Sequence, residues 1–404
     1  MLNLPAFLTL DIMDDSFYDP PRLDELQLPL ALSSWEKILK KSVPPGIELY
    51  LGGRSDPARH PEFKEFLALL KKLGIPFSLE TASHERLDWD LVALLKKIPS
   101  FLKLFVPLLS PPDNSNCPSD PKSKERMEAA KDLLQRASKS GLRTEVSLPL
   151  LGINLNRLEK TTQMAVKLGA SKIIFKRYLE PIKGGLLPSK IPLGKAIQGI
   201  IRMREKGYPF ALGNCFPQCF SLSKTFACTA GRVFLAVDPF GNARPCHHSK
   251  TILGNLLESS LESLWTSKAA EDFRNAFPEG CSNCSRVRDC LGGCKLSLEV
   301  WGTRNDPLSA PLRKIKPESA EFFHQAPLIG DFTVREEPSG PVLLSHLGVI
   351  PTRSGSLPLI EDLRKGTTPG QLLAAFGPGA LEFTYSAFQR GFVDFKRGHN
   401  TIFS

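Results

Sequence analysis

Between about residues 5 and 210, short apolar runs alternate with stretches whose apolar positions recur every three or four residues. FLTL (7–10), IELYL (47–51), PFSLE (76–80), LKLFV (102–106), RTEVSL (143–148) and KIIFKR (172–177) read as strands. PEFKEFLALLKKLG (61–74) and SKERMEAAKDLLQRASKSG (123–141) read as helices, each closing on basic residues and then Gly. Six β units separated by helices predict an α/β fold with parallel strands. Six are too few for a complete eight-fold barrel, which leaves a partial barrel or an open sheet.

The pattern changes further along. PLLSPPDNSNCPSDP (107–121) is a Pro-rich loop, and Cys117 within it reads as an exposed thiol. Residues 213–307 form a cysteine-rich segment, and SAPLRKIKPESAEFFHQAP (308–326) reads as a linker. In 327–404 the runs FTVREEPSG, PVLLSH and LGVIPT predict three short strands, followed by helices in LPLIEDLRKG, TPGQLLAAFG and ALEFTYSAFQRGFV.

Charge adds little to this picture. The chain has 404 residues, with 52 Lys and Arg against 42 Asp and Glu, a formal charge of +10. No tract of five consecutive basic residues occurs, so the excess reads as a solvated surface and no nucleic-acid partner is expected. The last module has 7 acids and 7 bases between Asp331 and Arg397 and offers no basic recognition helix. MLNLPAFLTLDIMDD lacks the basic start of a signal peptide, and no run reaches the ~18 apolar residues of a membrane span. The expectation is a cytoplasmic protein with no membrane association. There, clustered cysteines point to metal rather than disulfides.

Eight of the nine cysteines fall between Cys215 and Cys294. CSNCSRVRDCLGGC places Cys281, Cys284, Cys290 and Cys294 in a C-x2-C-x5-C-x3-C pattern. Thiolates bind soft metals and iron–sulfur clusters, and Gly292 and Gly293 let the backbone fold close to such a centre. Upstream, CTAGRVFLAVDPFGNARPC sets Cys228 and Cys246 on either side of a hairpin turning at DPFGN. Structural zinc is the alternative, although zinc ribbons usually place two C-x2-C pairs about 15–20 residues apart. H-E-x-x-H, P-loop and G-x-S-x-G motifs are missing, and GGRSDP has only two glycines of a dinucleotide fingerprint.

Residues 228–294 resemble the SPASM domain, which is appended to radical SAM enzymes that mature peptides and proteins. Six cysteines stand at that domain's spacings, with CTAG, VDPFGNARPC and LGNLLESSLESLW around them. The resemblance implies one or two [4Fe–4S] clusters. Cys281, Cys284 and Cys290 would share one, and Cys228, Cys246 and Cys294 the other. The family's final cysteine is missing, since none follows Cys294. Cys215, Cys219, His247 and His248 are the candidates to complete either set.

The first 212 residues resemble a degenerate radical SAM barrel, through GGRSDPARHPEF (52–63), SLETAS (78–83) and KLGASKIIFKRYLEPIKGG (167–185). The family's first strand leads into C-x3-C-x2-C-Y, whose cysteines hold the cluster that cleaves S-adenosylmethionine. Here LTLDIMDDSFYD puts Leu10, Asp14 and Phe17 at those positions, followed by Tyr18, and Arg54 replaces the acid of GGEP. Those side chains cannot hold such a cluster, so cleavage of S-adenosylmethionine is not expected. Residues 327–404 resemble a PqqD-like winged-helix module, which binds a leader peptide by strand addition.

The resemblance therefore implies an accessory or peptide-recognition protein, without catalytic residues of its own. It would work beside an active radical SAM/SPASM enzyme and a leader-bearing precursor peptide. An enzyme whose auxiliary clusters relay electrons or bind substrate is the alternative, and a structural zinc protein the second.

Overall fold

The computed structural model describes residues 2–13, 29–81, 87–108, 121–179, 188–213, 216–221, 228–278, 281, 284, 287–296, 299, 306–309, 326–330, 332–345, 348–389 and 392–395. Asp14, Phe17, Tyr18, Cys117, Cys215 and most of the 308–326 stretch lie outside them. The chain divides into two compact units. One is Met1–Leu193, Ala230–Ala276 and Lys295–Arg304; the other is Gly194–Thr229, Phe277–Cys294 and Asn305–Ser404.

All six expected strands form. They are β1 (Phe7–Leu10), β2 (Glu48–Leu51), β3 (Phe77–Glu80), β4 (Phe101–Pro107), β5 (Thr144–Leu150) and β6 (Lys172–Arg177). Each pairs in parallel with the next. The helices between them are α1 (Leu32–Ser42), α2 (Phe63–Leu73), α3 (Leu91–Leu95), α4 (Pro121–Lys139) and α5 (Leu158–Lys167). The fold is α/β with a parallel sheet, as the alternation predicts. The strands read as near-continuous apolar runs because helices cover a parallel sheet, and every residue of β5 is buried. α2 buries Phe63, Phe66, Leu67, Leu69 and Leu70 and ends on Lys71 and Lys72 ahead of a left-handed Gly74. Trp35 of α1 meets Phe66 edge-on at 5.9 Å.

Next come α6 (Lys190–Glu205), β7 (Phe210–Leu212) and the one-turn α7 (Gln218–Ser221). The DPFGN turn joins β8 (Phe234–Val237) to β9 (Asn242–Arg244), an antiparallel pair, and β10 (Gly254–Asn255) adds to β9. Asp238 fastens the turn. It accepts hydrogen bonds from the Phe240 and Asn242 amides at 3.0 and 2.9 Å and from Arg244 Nη2 at 2.8 Å. One feature is not legible from the hairpin's own sequence: β8 also pairs in parallel with all four residues of β1. Within the first unit the strands therefore follow the order β10–β9–β8–β1–β2–β3–β4–β5–β6. α8 (Leu261–Trp265) and α9 (Lys268–Asn275) complete this part, and the Trp265 indole donates to the Leu2 carbonyl at 2.9 Å.

In the second unit, α10 (Val287–Cys290) carries part of the cysteine run. Beyond it, β11 (Pro327–Ile329) precedes an antiparallel sheet of β12 (Thr333–Arg335), β13 (Val342–Ser345) and β14 (Gly348–Pro351). Helices α11 (Leu357–Arg364), α12 (Pro369–Phe376) and α13 (Pro378–Gln389) follow, and β15 (Val393–Phe395) returns to pair with β11. Thr368 and Gln371 form a capping box at the start of α12. Leu343, Ile350, Ile360, Leu363, Leu372 and Phe392 form the core of this module. Among the described residues no helix is long and apolar enough to cross a membrane.

Candidate metal centre

Four thiols of the second unit line one cavity: Cys219 from α7, Cys281 and Cys284 from the C-x2-C turn, and Cys290 at the end of α10. The space between them is about 310 Å³, part of it open to solvent, and Pro217, Gln218, Val287 and Gly292 complete its wall. The backbone of LGG shapes this site. Leu291, Gly292 and Gly293 have φ of +53°, +83° and +77°, and Leu291 is the one non-glycine residue with positive φ among those described. Three successive left-handed residues are costly, and such strain concentrates at binding sites. The result is a set of amides turned toward sulfur. The Gln218 amide donates to Cys290 Sγ at 3.3 Å, and the Gly292 and Gly293 amides also hydrogen-bond this thiol. A Cβ added at Gly293 would lie 2.7 Å from both Asp306 Oδ2 and Pro217 Cγ, so only glycine fits there.

Burial, and then the nearby Cys290, Cys219, Cys284 and Asp306, push the Cys281 thiol up to about 11. Burial likewise raises Cys290, against the three amides that favour its thiolate. Thiols so crowded do not ionise together in water at neutral pH; bound metal supplies the charge that lets them. The donor set fits an iron–sulfur cluster by its chemistry: four thiols line one cavity, with amides directed at the sulfur of Cys290. Among the described residues no three His, Cys, Asp or Glu donors close on a single ion. The seven described cysteines are all free thiols. Buried Cys228 and Cys294 belong to the second unit and buried Cys246 to the first. Cys215 lies outside the described residues.

A second group of polar side chains sits at the carboxyl ends of the parallel strands in the first unit; the sequence reading did not single out Asp11, Glu80 or Lys176 in it. Ligands of open α/β sheets bind at these ends. Asp11, just past β1, accepts from the Arg54 and Ser55 amides at 3.0 and 3.3 Å. Burial raises its carboxyl to about 7 against those hydrogen bonds and the Arg54 charge. Glu80, which ends β3, accepts from Tyr50 Oη at 2.7 Å and from Ser147 Oγ at 2.5 Å. Lys176 Nζ reaches both Glu80 carboxylate oxygens, at 2.7 and 2.9 Å. His247 belongs here too: its Nδ1 is buried without a hydrogen-bond partner, 3.4 Å from where a Gly53 Cβ would stand. Burial, with Lys176 and Arg54 nearby, pushes its imidazole down to about 3. The His248 ring lies 4.2 Å from it, tilted by 57°. The sequence signal was present in LTLD, FSLE and IIFK, apolar strands that each run into a charged residue.

The model of the SPASM family, an iron–sulfur cluster-binding domain, matches residues 228–286. The match places that likeness in the middle of the chain. The PqqA peptide cyclase of Rhizobium meliloti (strain 1021) is 24% identical over 322 residues, which cover 73% of this chain and 83% of that protein. The PqqA peptide cyclase of Ruegeria pomeroyi is 28% identical over 207 residues, 46% of this chain and 54% of that protein. Among solved structures, SuiB of Streptococcus suis bound to S-adenosylmethionine superposes with a TM-score of 0.60 at 15% identity, covering 76% of this chain and 78% of SuiB. anSMEcpe with bound AdoMet and the Cp18Cys peptide superposes with a TM-score of 0.54 at 14% identity, covering 71% of this chain and 88% of that one. The chain is α/β with a parallel sheet, shares the fold of SuiB and anSMEcpe, and carries the SPASM match after the six parallel strands.

Proposed function

We propose that this protein is an iron–sulfur accessory component of a peptide-modification system and does not itself cleave S-adenosylmethionine. One observation carries the reading: no cysteine precedes Cys117, so the segment after β1 has no thiolate to hold a cleaving cluster. The GGRS segment supports it, because the Arg54 and Ser55 amides are already bonded to Asp11. The four-thiol cavity supports a [4Fe–4S] cluster rather than one zinc ion, whose sulfurs would stand about 2.3 Å from a common centre. Cys228, Cys246 and Cys294 are the proposed ligands of a second cluster.

The substrate side follows from the relatives. Two are named PqqA peptide cyclases, and SuiB has been crystallised with the precursor peptide SuiA. For this chain the reading is a leader-bearing precursor peptide, delivered to an active radical SAM/SPASM enzyme in the cytoplasm. In this division residues 1–212 are the degenerate radical SAM-like domain, 213–307 the SPASM segment, 308–326 a linker and 327–404 a PqqD-like module. Three antiparallel strands and three helices in the last of these support a winged-helix peptide binder.

The test is anaerobic reconstitution with iron and sulfide, followed by dithionite and S-adenosylmethionine. The expected result is iron and sulfide bound to the chain, with an absorbance shoulder in the visible, and no 5′-deoxyadenosine above a protein-free blank. Formation of 5′-deoxyadenosine by the reconstituted chain refutes the accessory role. A chain that takes up zinc and no sulfide refutes the cluster.

A further inference from the structure

We infer that Cys219 supplies the fourth thiolate of the cluster held by Cys281, Cys284 and Cys290, closing its coordination with protein ligands. This rests on the iron–sulfur reading above and names the ligand that reading lacks. Cys219 lies outside the matched SPASM segment of residues 228–286 and ahead of its first cysteine, whereas the domain pattern takes its last ligand from downstream.

Pro217, Gln218 and Cys219 each contact the cysteine loop. Cys219 shares the cavity wall with the other three thiols. It is an electrostatic neighbour of both Cys281 and Cys290. The residue before it, Gln218, donates its amide to Cys290 Sγ at 3.3 Å. Pro217, one residue further back, packs where Gly293 lacks a side chain. One short turn thus contributes a thiol, an amide and a packing surface to the same centre. Asp306, the other acid beside Cys281, is engaged elsewhere: Oδ2 accepts the Cys294 amide and Oδ1 the Leu308 amide, both at 2.8 Å.

The chemical consequence is specific. A [4Fe–4S] cluster with three cysteines leaves one iron open to an exogenous ligand; a fourth cysteine closes it. On binding, each thiol gives its proton to solvent and its sulfur to iron. With Cys219 in place, this cluster can take part in electron transfer or hold the loop together, and no iron of it is free for a substrate.

The experiment uses the full chain, reconstituted anaerobically, as wild type, Cys219→Ala, Cys219→Ser and Cys215→Ala. Iron and sulfide per chain are measured, with EPR before and after mild oxidation. The wild type gives the full iron content and the reference spectra. Cys219→Ala loses at least one iron of the cluster and shows the signal of a three-iron cluster after oxidation. Cys219→Ser, with a weaker oxygen ligand, alters the reduced-state EPR spectrum while the far-UV circular dichroism stays that of the wild type. If Cys219→Ala does not fold, Cys219→Ser decides. Wild-type iron content and spectra in either Cys219 variant overturn the assignment, as does loss of iron on Cys215→Ala with Cys219→Ala unchanged. A wild type that binds no iron or sulfide refutes the cluster reading itself, which separates the two failures.

Discussion

Lys176 and Glu80 give the most direct test of the buried polar group. The Glu80 side chain is 2% exposed and that of Lys176 25%, with Lys176 Nζ 2.7 Å from Glu80 Oε1. Replacing Lys176 by Met keeps the length of the side chain and removes the charge, which stands 5.9 Å from the Tyr50 ring centroid. Breaking a fully buried pair costs about 3–5 kcal/mol, because one ion is left without its counter-charge. Two facts reduce that figure. Tyr50 and Ser147 still donate to the carboxylate, and a quarter of the lysine side chain faces water. The expected loss for Lys176→Met is therefore about 2–3 kcal/mol. Glu80→Gln keeps an acceptor for Tyr50 and costs less, about 1–2 kcal/mol. The double variant should lose less than the sum, with a coupling of roughly 1–2 kcal/mol. Urea unfolding read by tryptophan fluorescence reports on this unit, since Trp35, Trp89 and Trp265 belong to it. A loss below about 0.5 kcal/mol for Lys176→Met, with no coupling, would show that the pair does not form in solution.

Two other substitutions probe separate parts of the chain. Asp11 has its carboxyl raised from 3.8 to about 7, so between those values the folded state binds the proton that the unfolded state releases, and stability falls as pH rises. Asp11→Asn should flatten urea stability across that interval and stabilise the first unit above pH 7 by up to about 4 kcal/mol; a pH profile that is the same in both proteins refutes the burial argument. Gly293→Ala adds a Cβ 2.7 Å from Asp306 Oδ2, at a φ of +77° that alanine tolerates poorly. It should lower iron retention after gel filtration by half or more, about the effect of losing one of two clusters, with the fluorescence unfolding curve unchanged; full retention of iron refutes the role given to the loop.

The α/β core was legible because its strands are buried on both faces. FLTL and KIIFKR are read from sequence with the same bounds that the backbone gives β1 and β6. The pairing of β8 with β1 was not legible, since hydrophobic runs carry no record of which edge they join. β11 and β15 escaped for a simpler reason: each has three residues, too few for a period to show. At the site, Cys281, Cys284 and Cys290 announced themselves by spacing. Cys219 could be read only as one of several candidates, because its place beside them depends on the turn after α6 bringing Gln218 to Cys290. His247 and His248 were open candidates too, and no sequence signal showed that His247 Nδ1 lies 3.4 Å from where a Gly53 Cβ would stand. The charges closing β1, β3 and β6 were visible as letters. Their convergence was not, because it needs the strands to lie side by side.

The proposed accessory role has a counterpart in where the thiols stand along the chain. The sequence after β1, where the resemblance would call for C-x3-C-x2-C, carries no cysteine before Cys117. The four thiols around the cavity all come from Gly194–Thr229 and Phe277–Cys294, in the second unit. No strand of the parallel sheet β1–β6 supplies a sulfur to that cavity, so substitutions at the end of β1 leave its ligands and its LGG backbone untouched. What fills the strand ends instead is a set of paired charges. Asp11 holds the GGRS amides and Lys176 neutralises Glu80, while His247 Nδ1 beside them is buried without a hydrogen-bond partner. The sequence constraint that remains strictest is the cysteine loop, where Gly293 has no room for one added carbon.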